Sequence, residues 1–453
     1  MAAVDFAEGK VWKKILAQSI PLTLAQLVQL LYNVVDRVYL GHLEGTGGMA
    51  LTGVGLTFPI ITLIMAFTSL FGTGGSPLFA MERGAGDENK AQTIMSNVFS
   101  MLIVTSLVLI GICTIFEKPI LYLFGASDVS YQYAHAYLSI YIIGTPFTML
   151  TTGMNGFINA QGFPKKGMLT TIIGAVLNLI LDPIFIFVFG MGVRGAALAT
   201  IISQCVSAIW VLCFLIGKNA LITISIKKLR PQLEIVKRVM ALGAAGFIVS
   251  GTNAFVQIAC NTTLHTYGGD LYVGVMTVIN SVREVSSLPI GGICGGAAPV
   301  ISFNYGAKKY NRVCDGIKFS ATTGIIYTFL VWGLVNMIPK QLISLFTNEP
   351  DILALGVDSM KVYFFGFCFM AFQFAGQSTF QALGYAKQSI FFSLLRKAII
   401  VVPLTFILPR LGMGVMGVFW AEPISNVIGG LASFLTMYFT VYRKLRVAAN
   451  SEI

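Results

Sequence analysis

Gly190-Met191-Gly192-Val193 and Gly412-Met413-Gly414-Val415 are one four-residue string written twice, 222 positions apart. Sliding the chain by that offset, without a gap, lays Gly74 on Gly296, Pro77 on Pro299, Gly84-Ala85 on Gly306-Ala307 and Asn89 on Asn311. It also lays Phe124 on Phe346, Gly144 on Gly366, Gly162 on Gly384 and Lys165 on Lys387. Glycine and proline mark turns and close backbone approaches, so their coincidence at one offset means that the same bends occur twice. The chain is predicted to be two copies of one unit.

Composition places that unit in a bilayer. Hydrophobic residues make up 56% of the 453 positions and charged residues 11%, with a mean hydropathy of +0.79. That is more apolar surface than a water-soluble core can hide. Apolar runs long enough to cross the hydrocarbon as helix recur near 15–41, 50–80, 93–116, 131–160, 167–189 and 195–217. The second half repeats them near 239–265, 271–303, 317–338, 352–383, 388–409 and 414–442. The expected fold is therefore all-α and polytopic, with about twelve spans in two six-helix lobes around a central cavity. Six is even, so both halves start from the same side and the repeat is parallel rather than inverted.

The 30 Lys and Arg residues set the orientation. Twenty-one lie in segments on one side, among them Lys10, Lys13 and Lys14, the cluster from Lys218 to Arg238, and Arg443, Lys444 and Arg446. Five lie on the other side: Lys118, Arg194, Lys340, Lys361 and Arg410. By the positive-inside bias both termini are expected in the cytoplasm. The same distribution accounts for the net charge of +11 as a topology signal, so no nucleic-acid partner is expected. Lys10-Val11-Trp12-Lys13-Lys14 leads into a full-length span, which reads as a helix start and not as a cleaved leader. The seven cysteines are scattered without metal-ligand spacing and read as small packing residues.

The one long polar connector links spans six and seven. It divides the chain into a first lobe (1–217), a cytoplasmic connector (218–238) and a second lobe (239–453). The glycine-rich loop Gly84-Ala85-Gly86-Asp87, with its counterpart Gly306-Ala307-Lys308-Lys309, lacks the Lys-Ser/Thr of a nucleotide loop and reads as a turn. No ATPase motif and no enzyme motif is present, and no cofactor is expected. Internal repeats in an apolar chain are a mark of secondary transporters, so an ion gradient is the expected energy source.

The double six-helix repeat, the loop after span two, the string Asn178-Leu179-Ile180-Leu181-Asp182-Pro183 and the run from Gly190 to Thr200 together resemble the multidrug and toxic compound extrusion (MATE) family. The resemblance covers essentially the whole chain, and Asp36 following Asn33 is similar to the DinF-like prokaryotic branch. It implies a monomeric antiporter of a prokaryotic cell membrane, coupled to Na⁺ or H⁺ and exporting amphipathic, often cationic compounds.

Ionisable residues inside spans are costly and usually functional. Asp36 precedes His42 by six residues, Asp182 precedes Gly190 by eight and Thr200 follows Arg194 by six. At 1.5 Å per residue the three lie about 9, 12 and 9 Å deep from one membrane face. Asn178 falls one turn from Asp182 on the same helix face. The resemblance assigns Asp36, Asn155, Asn178, Asp182 and Thr200 to a cation site, although depth alone puts Asn155 lower. Two carboxylates at close range in low dielectric share a proton or hold a cation, and hard oxygen ligands suit Na⁺ at Asp36 and Asp182.

The repeat offers an internal control. Adding 222 to Asp36, Asn178, Asp182 and Thr200 gives Ile258, Ile400, Leu404 and Glu422, so the paired aspartates belong to one half only. The second half carries Arg283, Glu284, Arg396, Lys397 and Glu422 in its spans instead. Glu284, with Gln257 and Asn261, is the candidate contact for a cationic substrate; a charge network with Arg283 or Arg396 is the competing role. Pro21, about four turns inward from Asp36, is the candidate hinge. The alternative function is a lipid-linked oligosaccharide flippase, which calls for a strongly cationic groove; Arg283, Arg396 and Lys397 keep it open. A membrane-embedded prenyl transferase would need clustered aspartate metal motifs, and the sequence has none.

Overall fold

The computed structural model describes residues 3–41, 43, 47–347 and 349–450. His42, used above to gauge depth, lies outside them. In hydrocarbon every backbone N–H and C=O must be satisfied within the protein, so an apolar chain of this kind folds as helix. Among the described residues there is no strand.

The first half contains α1 (Val11–Gly41), α2 (Gly47–Gly84) and α3 (Glu88–Leu123). α4 (128–160) is broken at Gly144 into Asp128–Ile143 and Thr145–Ala160. α5 (Pro164–Pro183) runs on into a widened π turn, Ile184–Val188, and α6 spans Val193–Ile216. The second half contains α7 (233–268) and α8 (270–306), joined through Gly269 at φ +69°, then α9 (Tyr310–Met337) and α10 (Pro350–Ala382). α11 (386–411) and α12 (414–450) meet at Gly412 and Gly414, both with positive φ. A continuous helix of 74 residues would run about 110 Å, several bilayer thicknesses, so the break at Gly269 makes two spans of it.

The sequence repeat is reproduced bond for bond in the turns. After α2, Ala85, Gly86 and Asp87 donate to the carbonyls of Met81, Arg83 and Glu82; after α8, Ala307, Lys308 and Lys309 donate to Phe303, Tyr305 and Asn304. Each acceptor is shifted by 222. The shared turn demands a left-handed residue, which glycine supplies at Gly86 (φ +81°) and which Lys308 is made to adopt at φ +57°.

The chain forms two compact units whose limits differ from a cut at the polar connector. One comprises the residues up to Asp5 with Leu24–Phe247, the other Phe6–Thr23 with Ile248 onward. α1 therefore changes unit two residues after Pro21, and α7 changes unit four residues after Gly243, the residue 222 positions beyond Pro21. In the first unit the opening turns of α7 press on α2: a Cβ on Gly243 would lie 1.7 Å from the Leu70 carbonyl oxygen, and one on Gly74 2.1 Å from that of Val239. In the second unit the opening turns of α1 press on α8 in the same way. A Cβ on Gly296, the counterpart of Gly74, would lie 2.3 Å from Ser19 Oγ and 2.6 Å from its backbone nitrogen.

The polar connector is shorter than the sequence suggested, because α7 begins at 233. It is also fastened down. Asn97 of α3 donates to the carbonyls of Lys228 (2.8 Å) and Arg230 (3.3 Å) and accepts from the Gln232 amide (2.7 Å). In the second unit Arg312 holds Phe6, Glu8 and Gly9 through their carbonyls at 2.7–3.3 Å.

Candidate functional site

Within the first unit α4 packs on α6, and α5 packs beside α6. Asn178 and Asp182, one turn apart on α5, are each 1% exposed, and Thr200 on α6 is 5% exposed. Asn178 Nδ2 is shared between Asp182 Oδ1 at 3.2 Å and Thr200 Oγ1 at 3.3 Å. Its amide thus fixes a carboxylate from its own helix and a hydroxyl from the next. The Asp36 carboxyl of α1 lies against that of Asp182. Four of the five residues expected at the cation site are therefore in one place.

Asn155 is not among them in its hydrogen bonding. Its Nδ2 donates to the Gly167 carbonyl at 3.2 Å, and Gly167 lies eleven residues before Asn178, about 16 Å along α5. This is the deeper placement that counting residues along the spans had suggested. In its stead come residues that were not anticipated: Tyr32 and Tyr137 stand beside the Thr200 hydroxyl. Tyr32 precedes Asp36 by four residues, so helical spacing had already put it on the aspartate's face. Tyr137, on α4, had no such signal.

Two oxygens in this cluster are buried and accept no hydrogen bond, Asn178 Oδ1 and Asp182 Oδ2. An unsatisfied buried acceptor is costly, and two of them beside a second carboxylate and a threonine hydroxyl form a set of hard oxygen donors. Among the described residues no three His, Cys, Asp or Glu side chains converge as a metal site. The donors are two carboxylates with neutral oxygens, a composition that suits Na⁺ or a proton.

The second unit has a different cluster at the repeat-related position. Glu422 on α12 is 4% exposed. Lys397 Nζ lies 3.0 and 3.2 Å from its two oxygens, and Arg396 donates to Oε1 and to Asn426 Oδ1, each at 3.0 Å. Arg283 of α8 stands farther off, at 3.8 Å from Oε1. Arg396 and Lys397 lie in a π-helical stretch, Leu395–Val401, a local widening that often marks functional positions.

The residues expected to touch a cationic substrate are not in this cluster. Glu284 and Gln257 are exposed, and Gln257 donates to Asn261 at 3.3 Å along one face of α7. Glu422, and not Glu284, is the carboxylate that forms the charge network. Pro21 is inside α1.

A family model described as MatE matches residues 21–184 and 247–407, one stretch in each half. The multidrug export protein MepA of Staphylococcus aureus (strain MSSA476) is 27% identical over 434 residues, 96% of this chain and 95% of MepA. A crystal structure of MATE in the bent conformation superimposes with a TM-score of 0.93 at 22% identity, covering 99% of both chains. An outward-facing multidrug resistance MATE family transporter of the MOP superfamily superimposes with a TM-score of 0.91 at 23% identity, over 98% of this chain and 99% of its own.

Proposed function

The chain belongs to the MatE family of multi-pass membrane transporters, and from that premise we propose that it is an antiporter coupling inward movement of Na⁺ or H⁺ to export of amphipathic compounds. The observation that carries the reading is the Asp36–Asp182 pair, with the two buried acceptor oxygens of Asn178 and Asp182 beside it. Two adjacent carboxylates resist double ionisation in a low-dielectric site, so occupancy by a cation or a proton relieves their repulsion. Asp36, Asn178, Asp182 and Thr200 would hold Na⁺; with H⁺ as the coupling ion, the proton would sit between the two carboxyls. The kinship with MepA, a multidrug export protein, supports drugs and toxic compounds as the cargo.

Coupling requires that ion and substrate favour different states, and their effects on each other's affinity are then equal. Pro21 supplies the place for α1 to bend, since its missing N–H leaves one helical carbonyl without its partner. Its position two residues before α1 changes unit supports that role. The lysine and arginine distribution supports cytoplasmic termini, which places the carboxylate pair toward the outer face of the cell membrane.

The deciding experiment loads vesicles with a fluorescent lipophilic cation and imposes Na⁺ and proton gradients separately. Efflux driven by one gradient, and lost in both Asp36→Asn and Asp182→Asn, is expected. Substantial driven efflux in both variants would overturn the assignment. Pro21→Ala is expected to bind substrate but lose most of the ion-dependent change in its affinity.

A further inference from the structure

Three cationic side chains converge on one carboxylate in the second unit. Arg396 and Lys397 are bonded to Glu422 at 3.0 Å. Glu284, next to Arg283 in sequence, is exposed and forms no ion pair with it among the described residues; adjacent residues of a helix point in different directions. The other groups packed around Arg283 are Tyr363, whose hydroxyl donates to Asn280 Oδ1 at 3.2 Å, and Cys260, which pairs with Thr405. With all groups in their ordinary charge states the cluster carries two positive charges in excess.

Arg283 is where that excess opens outward. It is the member farthest from Glu422, its side chain is 30% exposed, and its Nε is buried without a hydrogen-bond partner. Lys397 and Arg396 behind it are 5% and 15% exposed, so water screens them little. Cys260, beside Arg283, also belongs with Val402 and Leu404 to a half-buried apolar layer packed on the buried Val256, Val401 and Ala421. We propose that Arg283, backed by Arg396 and Lys397, binds the anionic head of an amphipathic molecule, a carboxylate or phosphate monoester whose apolar body lies against the half-buried Cys260, Val402 and Leu404. A partly exposed guanidinium matches such a planar or tetrahedral oxyanion. The inference rests on the second unit alone and is independent of the coupling ion.

The test uses the full-length protein in phosphatidylcholine nanodiscs and radiolabelled dodecyl phosphate, measured by equilibrium dialysis without any gradient. Saturable binding is expected, displaced by dodecanoate at similar concentration and at least a hundredfold more weakly by inorganic phosphate. Displacement when phosphatidylglycerol replaces part of the lipid would assign the site to a membrane headgroup; no displacement would assign it to a free amphiphile. Arg283→Gln should weaken binding at least tenfold and Arg283→Lys should restore most of it, while Lys361→Gln, an exposed cation outside the cluster, should leave it unchanged. The proposal fails if folded wild-type protein shows no saturable binding or if dodecyltrimethylammonium competes as well as dodecanoate. Equal losses in Arg283→Gln and Lys361→Gln would overturn it too. Should Arg283→Gln not fold, the competition series on wild-type protein and Arg283→Lys still decide.

Discussion

Thr200 and Glu422 stand at the same place in two copies of one unit, yet their surroundings have opposite sign. Around Thr200 the first unit gathers two carboxylates, an amide and two tyrosines, with two acceptor oxygens lacking donors. Around Glu422 the second unit gathers three cations and an asparagine, with a donor lacking an acceptor. One cluster has an excess of acceptors, the other an excess of donors. A scaffold that fixes backbone positions by glycine and proline leaves the polar side chains free to differ, and the two halves differ in the sign of the charge they gather.

The sharpest way to break that contrast is to neutralise one acid in each cluster. Asp182→Asn removes one of two like charges, so the fold should keep its thermal stability while gradient-driven efflux falls to background. Glu422→Gln removes the one carboxylate among three cations, and it should destabilise the protein by about 3–5 kcal/mol, the cost of leaving buried charge uncompensated. Thermal unfolding monitored by tryptophan fluorescence, beside vesicle efflux, distinguishes the two. Matching stability losses would mean that both clusters are structural.

A smaller effect is expected at Asn178. Asn178→Ala deletes the donor shared by Asp182 and Thr200 and should cost about 0.6–2 kcal/mol, the range of interhelical hydrogen bonds in membranes. Apparent affinity for the coupling ion should fall at the same time, read as a rise in the Na⁺ or H⁺ concentration that half-saturates efflux. Stability loss with unchanged ion dependence would remove Asn178 from the ion site.

The smallest effect belongs to Ile258, the counterpart of Asp36. It is 56% exposed, so Ile258→Ala should change stability by less than about 0.5 kcal/mol and leave efflux intact. A transport defect there would show that the second half's counterpart still matters, and would blur the contrast between the two halves.

Much of this is legible in the sequence. The turns at Gly86 and Lys308 follow from a repeat visible in the string itself, and Asp36, Asn178, Asp182 and Thr200 were grouped by counting residues from the ends of their spans. That counting works because a helix has one fixed rise and a bilayer one thickness. It fails for Tyr137, whose helix gives no hint of which neighbour it faces. Nor does it tell which carboxylate of the second half gathers the cations, which is Glu422 and not Glu284.

The sequence by itself determined the helices, about twelve spans of them, and their twofold repetition, because hydrophobic run length and the spacing of glycines and prolines are properties of a single line of residues. Only the tertiary structure decided that Arg396 and Lys397 converge on Glu422 and that Tyr137 joins Thr200. It also decided that α1 and α7 each divide between two compact units. Those facts depend on which helix faces press together, and close packing chooses its partners by shape and hydrogen bonding across distances along the chain that no local period encodes.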